Sequence, residues 1–171
     1  MRPNRTGYNV TSYTDIRINC RGNSGGEKFK VELVDTAGGT HAVNIIMAPG
    51  FEEGLKNTEY QEAVLPLALF TGVNLSSLKQ VNIIFDQEPK TGTVYLDYIR
   101  FTDLSSPPPG TTGLVVDDFN DGTFVNNLGG GTGTIIPAGN SSGVMALDFE
   151  GGGTVNPNVK EGLGALKMDY N

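Results

Sequence analysis

One acidic side chain in this sequence occupies a position that requires a specific partner. Asp97 lies within an apolar run that covers residues 93–101. In a regular strand it shares a face with Tyr95, Ile99 and Phe101. A carboxylate buried on such a face without a partner is costly. Asp97 must therefore reach solvent, a hydrogen-bonding network or a cation.

A second group of acids follows in the last third of the chain. Residues 105–171 carry seven acidic side chains against two lysines, among many glycines and oxygen-bearing side chains. Such a segment is a place to expect a hard cation such as calcium, which takes about six to eight oxygen ligands. Asp117 and Asp118 point to opposite faces of a strand, so a regular strand offers one of them as a direct ligand. The alternative is that one accepts backbone hydrogen bonds and the other is solvated.

Other chemically capable residues give little support for catalysis. His41 is the single histidine and Cys20 the single cysteine, and Cys20 alternates with Ile16 and Ile18 as a small core residue does. One cysteine excludes an internal disulfide and a multi-cysteine zinc site. The glycines at 129–133 precede strand-like residues, not the lysine and helix of a phosphate-binding loop. We therefore predict that the protein is not an enzyme.

Composition limits the class of protein and its partners. The chain has 171 residues, 37% of them hydrophobic, with 24 glycines and 9 prolines. This balance favours short strands and many turns over helices. A formal net charge of -7 opposes binding to a phosphate backbone, so nucleic acid is not an expected partner. No apolar run approaches membrane-spanning length, so no membrane partner is expected, and no secretory signal is visible at Met1.

Alternating apolar residues predict short strands along the whole chain. Such runs lie at residues 16–20, 28–34, 42–47, 60–66, 81–85, 93–101, 114–119, 134–136, 144–149 and 163–170. Turn-forming residues separate them, which is typical of an all-β sandwich.

A proline-rich linker at residues 105–113 divides these strands into two unequal groups. Its three consecutive prolines favour extended geometry and oppose ladder pairing. Neither the strands in 1–104 nor those in 114–171 make a balanced sandwich, whereas their sum is close to a jelly roll. We therefore predict one domain over residues 1–171.

The strands after the linker carry a recognisable motif. The run LVVDDFNDG at 114–122, with NNLGG at 126–130, resembles the opening strand of family 11 carbohydrate-binding modules and related jelly-roll domains. The run GALKMDY at 164–170 resembles the next strand of these modules. The strands before the linker then follow in the family's order. The resemblance covers most of the chain, in circularly permuted order.

This resemblance implies a galactose-binding-like jelly roll that binds a polysaccharide, such as a β-glucan, on a concave sheet face without catalysis. Sugar rings stack on exposed aromatic faces in such sites. The family usually has tryptophan where Tyr60 stands, and this chain has no tryptophan. The candidate ligand-binding residues are Tyr13, Tyr60, Tyr95 and Tyr98, with Tyr95 and Tyr98 expected on opposite faces of one strand. Each tyrosine is alternatively a core or edge residue with a bonded hydroxyl.

The resemblance also implies a structural calcium ion beside the opening and closing strands. Asp97 and either Asp117 or Asp118 would share it, with backbone carbonyls completing the ligand set. An extracellular or cell-surface location is implied as well.

The two ends of the sequence read as halves of one interrupted segment. We predict that Tyr8-Asn9 and Tyr170-Asn171 occupy adjacent positions in one jelly roll, whose first and last strands are joined by residues 105–113. Circular permutation within one chain produces this arrangement. Strand exchange between neighbouring chains also produces it, and then the protein is a structural subunit that self-assembles into a filament or tube. The linker spans roughly 28 Å at about 3.1 Å per residue, which suffices for either.

Overall fold

The computed structural model describes residues 7–103, 113–120, 123–128, 143–149 and 164–170 of the chain. These residues form nine strands and three short 3-10 helices. The strands are β1 (Asp15–Gly22), β2 (Lys30–Asp35), β3 (Thr40–Asn44), β4 (Gln61–Pro66), β5 (Leu78–Ile84), β6 (Gly92–Thr102), β7 (Leu114–Asp117), β8 (Gly143–Phe149) and β9 (Gly164–Tyr170). The 3-10 helices cover Ile45–Met47, Leu67–Leu69 and Leu75–Ser77. The strand predicted at 134–136 lies outside the described residues.

Two antiparallel sheets contain these strands. The smaller sheet has the order β3-β2-β5, and the larger has the order β4-β1-β6-β9-β8, with β7 also paired to β6. Hydrophobic side chains from both sheets form one buried cluster between them. The prediction of an all-β sandwich is therefore confirmed.

Alternation of side chains along the strands builds this core. In β1, Ile16, Ile18 and Cys20 are fully buried, and burial raises the pKa of the Cys20 thiol. In β2, Val31 and Leu33 are buried from the opposite sheet. Burial of such an aliphatic side chain stabilises a fold by about 1.5–3 kcal/mol.

Strand β6 is the centre of the larger sheet. One of its edges pairs with β1; the other pairs with β9 over residues 92–96 and with β7 over residues 99–101. Phe101 lies opposite Leu114, so the two strands on either side of the proline-rich linker are direct neighbours. Strands from before and after the linker thus belong to one sheet.

Tyr8 and Tyr170 do not occupy adjacent positions, and Asn171 lies outside the described residues. The backbone of Tyr8 exchanges two hydrogen bonds with Leu78, at the start of β5. Tyr170 pairs with Gly92, and its ring stacks on Phe85, just past the end of β5, with centroids 4.3 Å apart. Leu78 and Phe85 are separated by roughly 23 Å of extended chain. The predicted adjacency is wrong because the pairing with β6 places β9 at the opposite end of β5.

A buried carboxylate ties the β2–β3 hairpin to the loop before β5. Asp35 accepts hydrogen bonds from the N–H groups of Ala37 (2.8 Å), Gly39 (2.9 Å) and Asn74 (2.8 Å). The hydrogen bond from the N–H of Asn74 does most to lower the pKa of Asp35. Burial raises this pKa, and further N–H donors from the turn lower it. The charged carboxylate is therefore part of the folded structure.

We expect Asp35→Asn to lower the melting temperature at neutral pH. The folded pKa of Asp35 is depressed, so its stabilisation is present above the unfolded pKa of about 3.9 and is lost as pH falls through the folded value. The melting-temperature difference between wild type and variant should shrink below about pH 4. Circular dichroism melts from acid to neutral pH measure it.

Glu88→Gln is the matched control for this titration, because Glu88 lies on an exposed loop with its side chain 77% accessible. It should melt with the wild type throughout. A melting-temperature difference between wild type and Asp35→Asn that stays constant across the pH range would contradict the assigned role of the charge on Asp35.

Candidate functional site

The side of the larger sheet that faces away from the core carries a group of polar and aromatic residues, which we call the polar face. Pairing between strands brings them together: Asn19 lies opposite both Glu62 and Asp97, and Arg21 lies opposite Tyr95. The polar face consists of Arg17, Asn19, Arg21, Tyr60, Glu62, Tyr95, Asp97, Tyr98 and Arg100. Strands β1, β4 and β6 position nearly all of it, and Tyr60 immediately precedes β4.

Arg21 lies over two aromatic rings. Its guanidinium carbon lies 4.9 Å from the centroid of Tyr95 and 5.9 Å from that of Tyr60. Each contact of this kind is worth about 0.5–2 kcal/mol, depending on how far it is removed from water. Both contacts favour placement of the guanidinium beside these rings.

Asp97 lies at the buried floor of the polar face. Its exposed fraction is 0%, so the possibility that it reaches solvent is wrong. Burial, and next the negative charge of Asp97, raise the pKa of Tyr60, while Arg21 opposes this shift. Tyr60 thus keeps its hydroxyl proton at physiological pH and offers a hydrogen-bond donor.

Glu62 is shared by two arginines. Arg17 Nη1 lies 3.2 Å from Glu62 Oε2, and Arg100 Nη2 contacts Glu62 Oε1. Arg17 Nη2 also lies 3.9 Å from Asp15 at the end of the face. One carboxylate therefore aligns two guanidiniums from strands β1 and β6.

A β-bulge in β6 determines which of its side chains join the polar face. Arg17 pairs with Arg100, and Asn19 pairs with Asp97, so two residues of β6 oppose the single residue Ile18. Tyr98 is one of these two bulge residues. Its φ is 47°, in the left-handed region that non-glycine residues rarely adopt.

The bulge corrects two predictions made from regular alternation. Ile99 and Phe101 are buried in the core, so Asp97 does not share their face. The ring of Tyr98 lies 4.7 Å from the Arg100 guanidinium, so Tyr95 and Tyr98 both reach the polar face. Strict alternation fails because one inserted residue reverses the phase of the strand.

Burial gives the polar face a floor and a rim. Asn19, Tyr95, Asp97 and Arg100 are buried. Arg21, Tyr60 and Tyr98 are half-buried, and Glu62 is exposed. The second set therefore forms the accessible rim of the polar face.

Tyr13, the fourth predicted tyrosine, lies apart from the other three. Its ring packs 6.4 Å from that of Phe101. It lines a largely apolar groove of about 600 Å³ together with Val64, Pro66 and Leu75. Since Val64 pairs with Arg17, the groove adjoins the polar face.

The predicted calcium ligands are only partly brought together. Asp117 is buried and pairs with Ile99, close to Asp97 in β6. Asp117 Oδ1 accepts the N–H of Phe119 at 2.9 Å, and Asp118 Oδ1 accepts that of Asn120 at 3.3 Å. Within the described ranges, no three histidine, cysteine or acidic side chains group as a metal site. The shared calcium ion stays a prediction.

Sequence reasoning missed the three arginines, Asn19 and Glu62. The run IRINCR at residues 16–21 contained the signal, because its polar residues alternate with the apolar set that forms the core. Their common location depends on the pairing of β1 with β4 and β6, which this run does not specify.

Comparison with known proteins gives no assignment. No protein-family model, no curated protein and no solved structure matches this chain. Among the described residues, no helix has the length and apolar character needed to cross a membrane.

We expect Tyr98→Gly to be more stable than Tyr98→Ala by about 1 kcal/mol. Both variants lose the ring and its contact with Arg100, but glycine adopts a positive φ without steric cost. Urea denaturation at constant protein concentration measures the difference in the free energy of unfolding.

The same pair of substitutions at Thr93, on β6 before the bulge, is the control. There alanine should be the more stable residue, because glycine in a strand interior weakens the strand. Equal stabilities for the two Tyr98 variants would contradict a backbone cost at the bulge.

Proposed function

We propose that the protein is a non-catalytic carbohydrate-binding module that recognises a polysaccharide on the polar face of a jelly-roll sandwich. The observation that carries this proposal is the grouping of three tyrosines with arginines and carboxylates on one side of one sheet. Aromatic rings offer apolar surface to the faces of sugar rings. Arg, Asn and carboxylate groups offer the donors and acceptors that sugar hydroxyls need.

The family resemblance and the strand order support the same proposal. In the order of family 11 modules, β7 is the opening strand and β6 the closing strand. These two strands pair directly, as permutation of a jelly roll requires. A β-glucan is the ligand that the resemblance favours.

The carboxylates support binding over hydrolysis. Glycoside hydrolysis needs two carboxyl groups placed on either side of the scissile bond. Asp97 has no exposed surface, and Glu62 is engaged by Arg17 and Arg100. Neither carboxyl group is therefore well placed to reach a glycosidic oxygen.

We expect the protein to be retarded by at least one soluble glycan in affinity electrophoresis across β-glucans, xylan and mannan. Tyr60→Ala should weaken that binding by about three- to tenfold, because it removes an aromatic ring from the rim of the face. Isothermal titration calorimetry measures the change in Kd.

Tyr8→Ala is the matched control, since Tyr8 is 40% exposed and pairs with Leu78, outside the polar face. It should bind as the wild type does. If wild-type protein is not retarded by any glycan of the panel, the proposal is overturned.

A second candidate function is self-assembly by strand exchange. In the described part of the chain, β7 and β9 both pair with one edge of β6, and β8 pairs with β9. The same edge could receive these strands from a neighbouring chain through the linker. Size-exclusion chromatography with light scattering should then show oligomers that grow with concentration, and a monomer at every concentration would exclude this function.

A further inference from the structure

The apolar groove begins where the polar face ends. Val64 lines the groove and follows Glu62 by two positions on β4, so both side chains point away from the core, roughly 7 Å apart. Asp15 also lines the groove, and its carboxylate lies 3.9 Å from Arg17 Nη2 on the polar face. The groove is therefore continuous with the proposed sugar-binding surface.

The lining of the groove differs in chemistry from the polar face. Apolar side chains and proline rings supply most of it, among them those of Tyr13, Pro49, Pro66, Ala68 and Leu75. Sugar rings carry many hydroxyl groups, and apolar side chains would leave these without hydrogen bonds. The groove therefore suits an apolar substituent attached to a sugar chain, and not the sugar chain itself.

The size and shape of the groove favour an aromatic substituent. Its volume of about 600 Å³ falls in the range of sites that hold small organic molecules, and a methyl or acetyl group would fill only a small part of it. Tyr13 and the rings of Pro49 and Pro66 offer flat apolar surfaces. An aromatic ring gains dispersion contacts when it packs on such surfaces.

We propose that the ligand is a polysaccharide with aromatic ester substituents, and that one substituent occupies the groove while its sugar chain lies on the polar face. This inference rests on the proposed carbohydrate-binding function and names the class of its ligand, in place of an unsubstituted glucan. An ester is uncharged, so its burial against apolar side chains does not require a counter-ion. Because the groove and the face are continuous, one ligand can contact both.

Feruloylated arabinoxylan and the same preparation after alkaline de-esterification and dialysis are the matched probes, because they share a sugar chain. Affinity electrophoresis of the full chain should give a Kd at least about tenfold lower on the esterified form. Equal binding to the two forms, or binding to β-glucan alone, overturns this inference and leaves the proposed function standing. Retardation by neither form and by no glycan of the β-glucan, xylan and mannan panel overturns both.

Methyl ferulate separates the polysaccharide from a free aromatic ester. Isothermal titration calorimetry should give it a Kd at least about tenfold higher than that of the esterified polysaccharide, because it has no sugar chain to contact the polar face. Equal Kd values would assign the groove to a small aromatic ester and overturn the proposal.

A substitution in the groove locates the substituent. Ala68→Gln adds a longer polar side chain at an exposed position that lines the groove, so folding should be retained. Binding to the esterified form should weaken by about tenfold, and binding to the de-esterified form should stay unchanged. No effect on either form, or an equal loss on both, would overturn the proposal.

Ala37→Gln is the matched control, because Ala37 is exposed in the turn between β2 and β3. It should bind both forms as the wild type does. A loss for Ala37→Gln equal to that for Ala68→Gln would place the effect outside the groove and contradict the assignment.

A second copy of the chain is the other occupant that an exposed apolar groove admits. Light scattering at equal concentration should give wild type and Ala68→Gln the same mass. A wild-type dimer that Ala68→Gln dissociates would assign the groove to self-association and overturn the proposal.

Discussion

Strand β6 has to bury two side chains on the same face although they are an odd number of positions apart. The arrangement of the larger sheet depends on that constraint. Leu96 and Phe101 are five positions apart, yet both are buried in the core. A regular strand would turn one of them outward. The bulge at Tyr98 and Ile99 removes this conflict and also separates the segment of β6 that pairs with β9 from the segment that pairs with β7.

The chemistry of the polar face follows from the same bulge. Asp97 and Arg100, three positions apart, both point away from the core because the inserted residue reverses the alternation between them. Arg100 can then meet Glu62 on β4 across β1, and Asp97 lies beside Asn19. Backbone strain at Tyr98 is thus linked to the set of side chains on the polar face.

Sequence reasoning reached the fold class because alternation in β1 and β2 is regular: Ile16, Ile18, Val31 and Leu33 recur at every second position and are buried. It brought attention to Asp97 and to the tyrosines of β6, since a carboxylate in an apolar strand is unusual. Sequence reasoning did not predict the features that depend on pairing between strands distant in sequence. The bulge has no glycine to mark it, and the meeting of Arg17, Glu62 and Arg100 depends on the register of three strands that are distant in sequence.

The contacts of Arg21 with two tyrosine rings have a consequence for the entropy of this side chain. A free arginine side chain carries about 2 kcal/mol of rotamer entropy, which a flexible site loses when its ligand binds. Here the rings of Tyr60 and Tyr95 restrict the guanidinium when the protein folds. Under the proposed binding function, association needs no rearrangement of this side chain, because its position is already set in the folded protein.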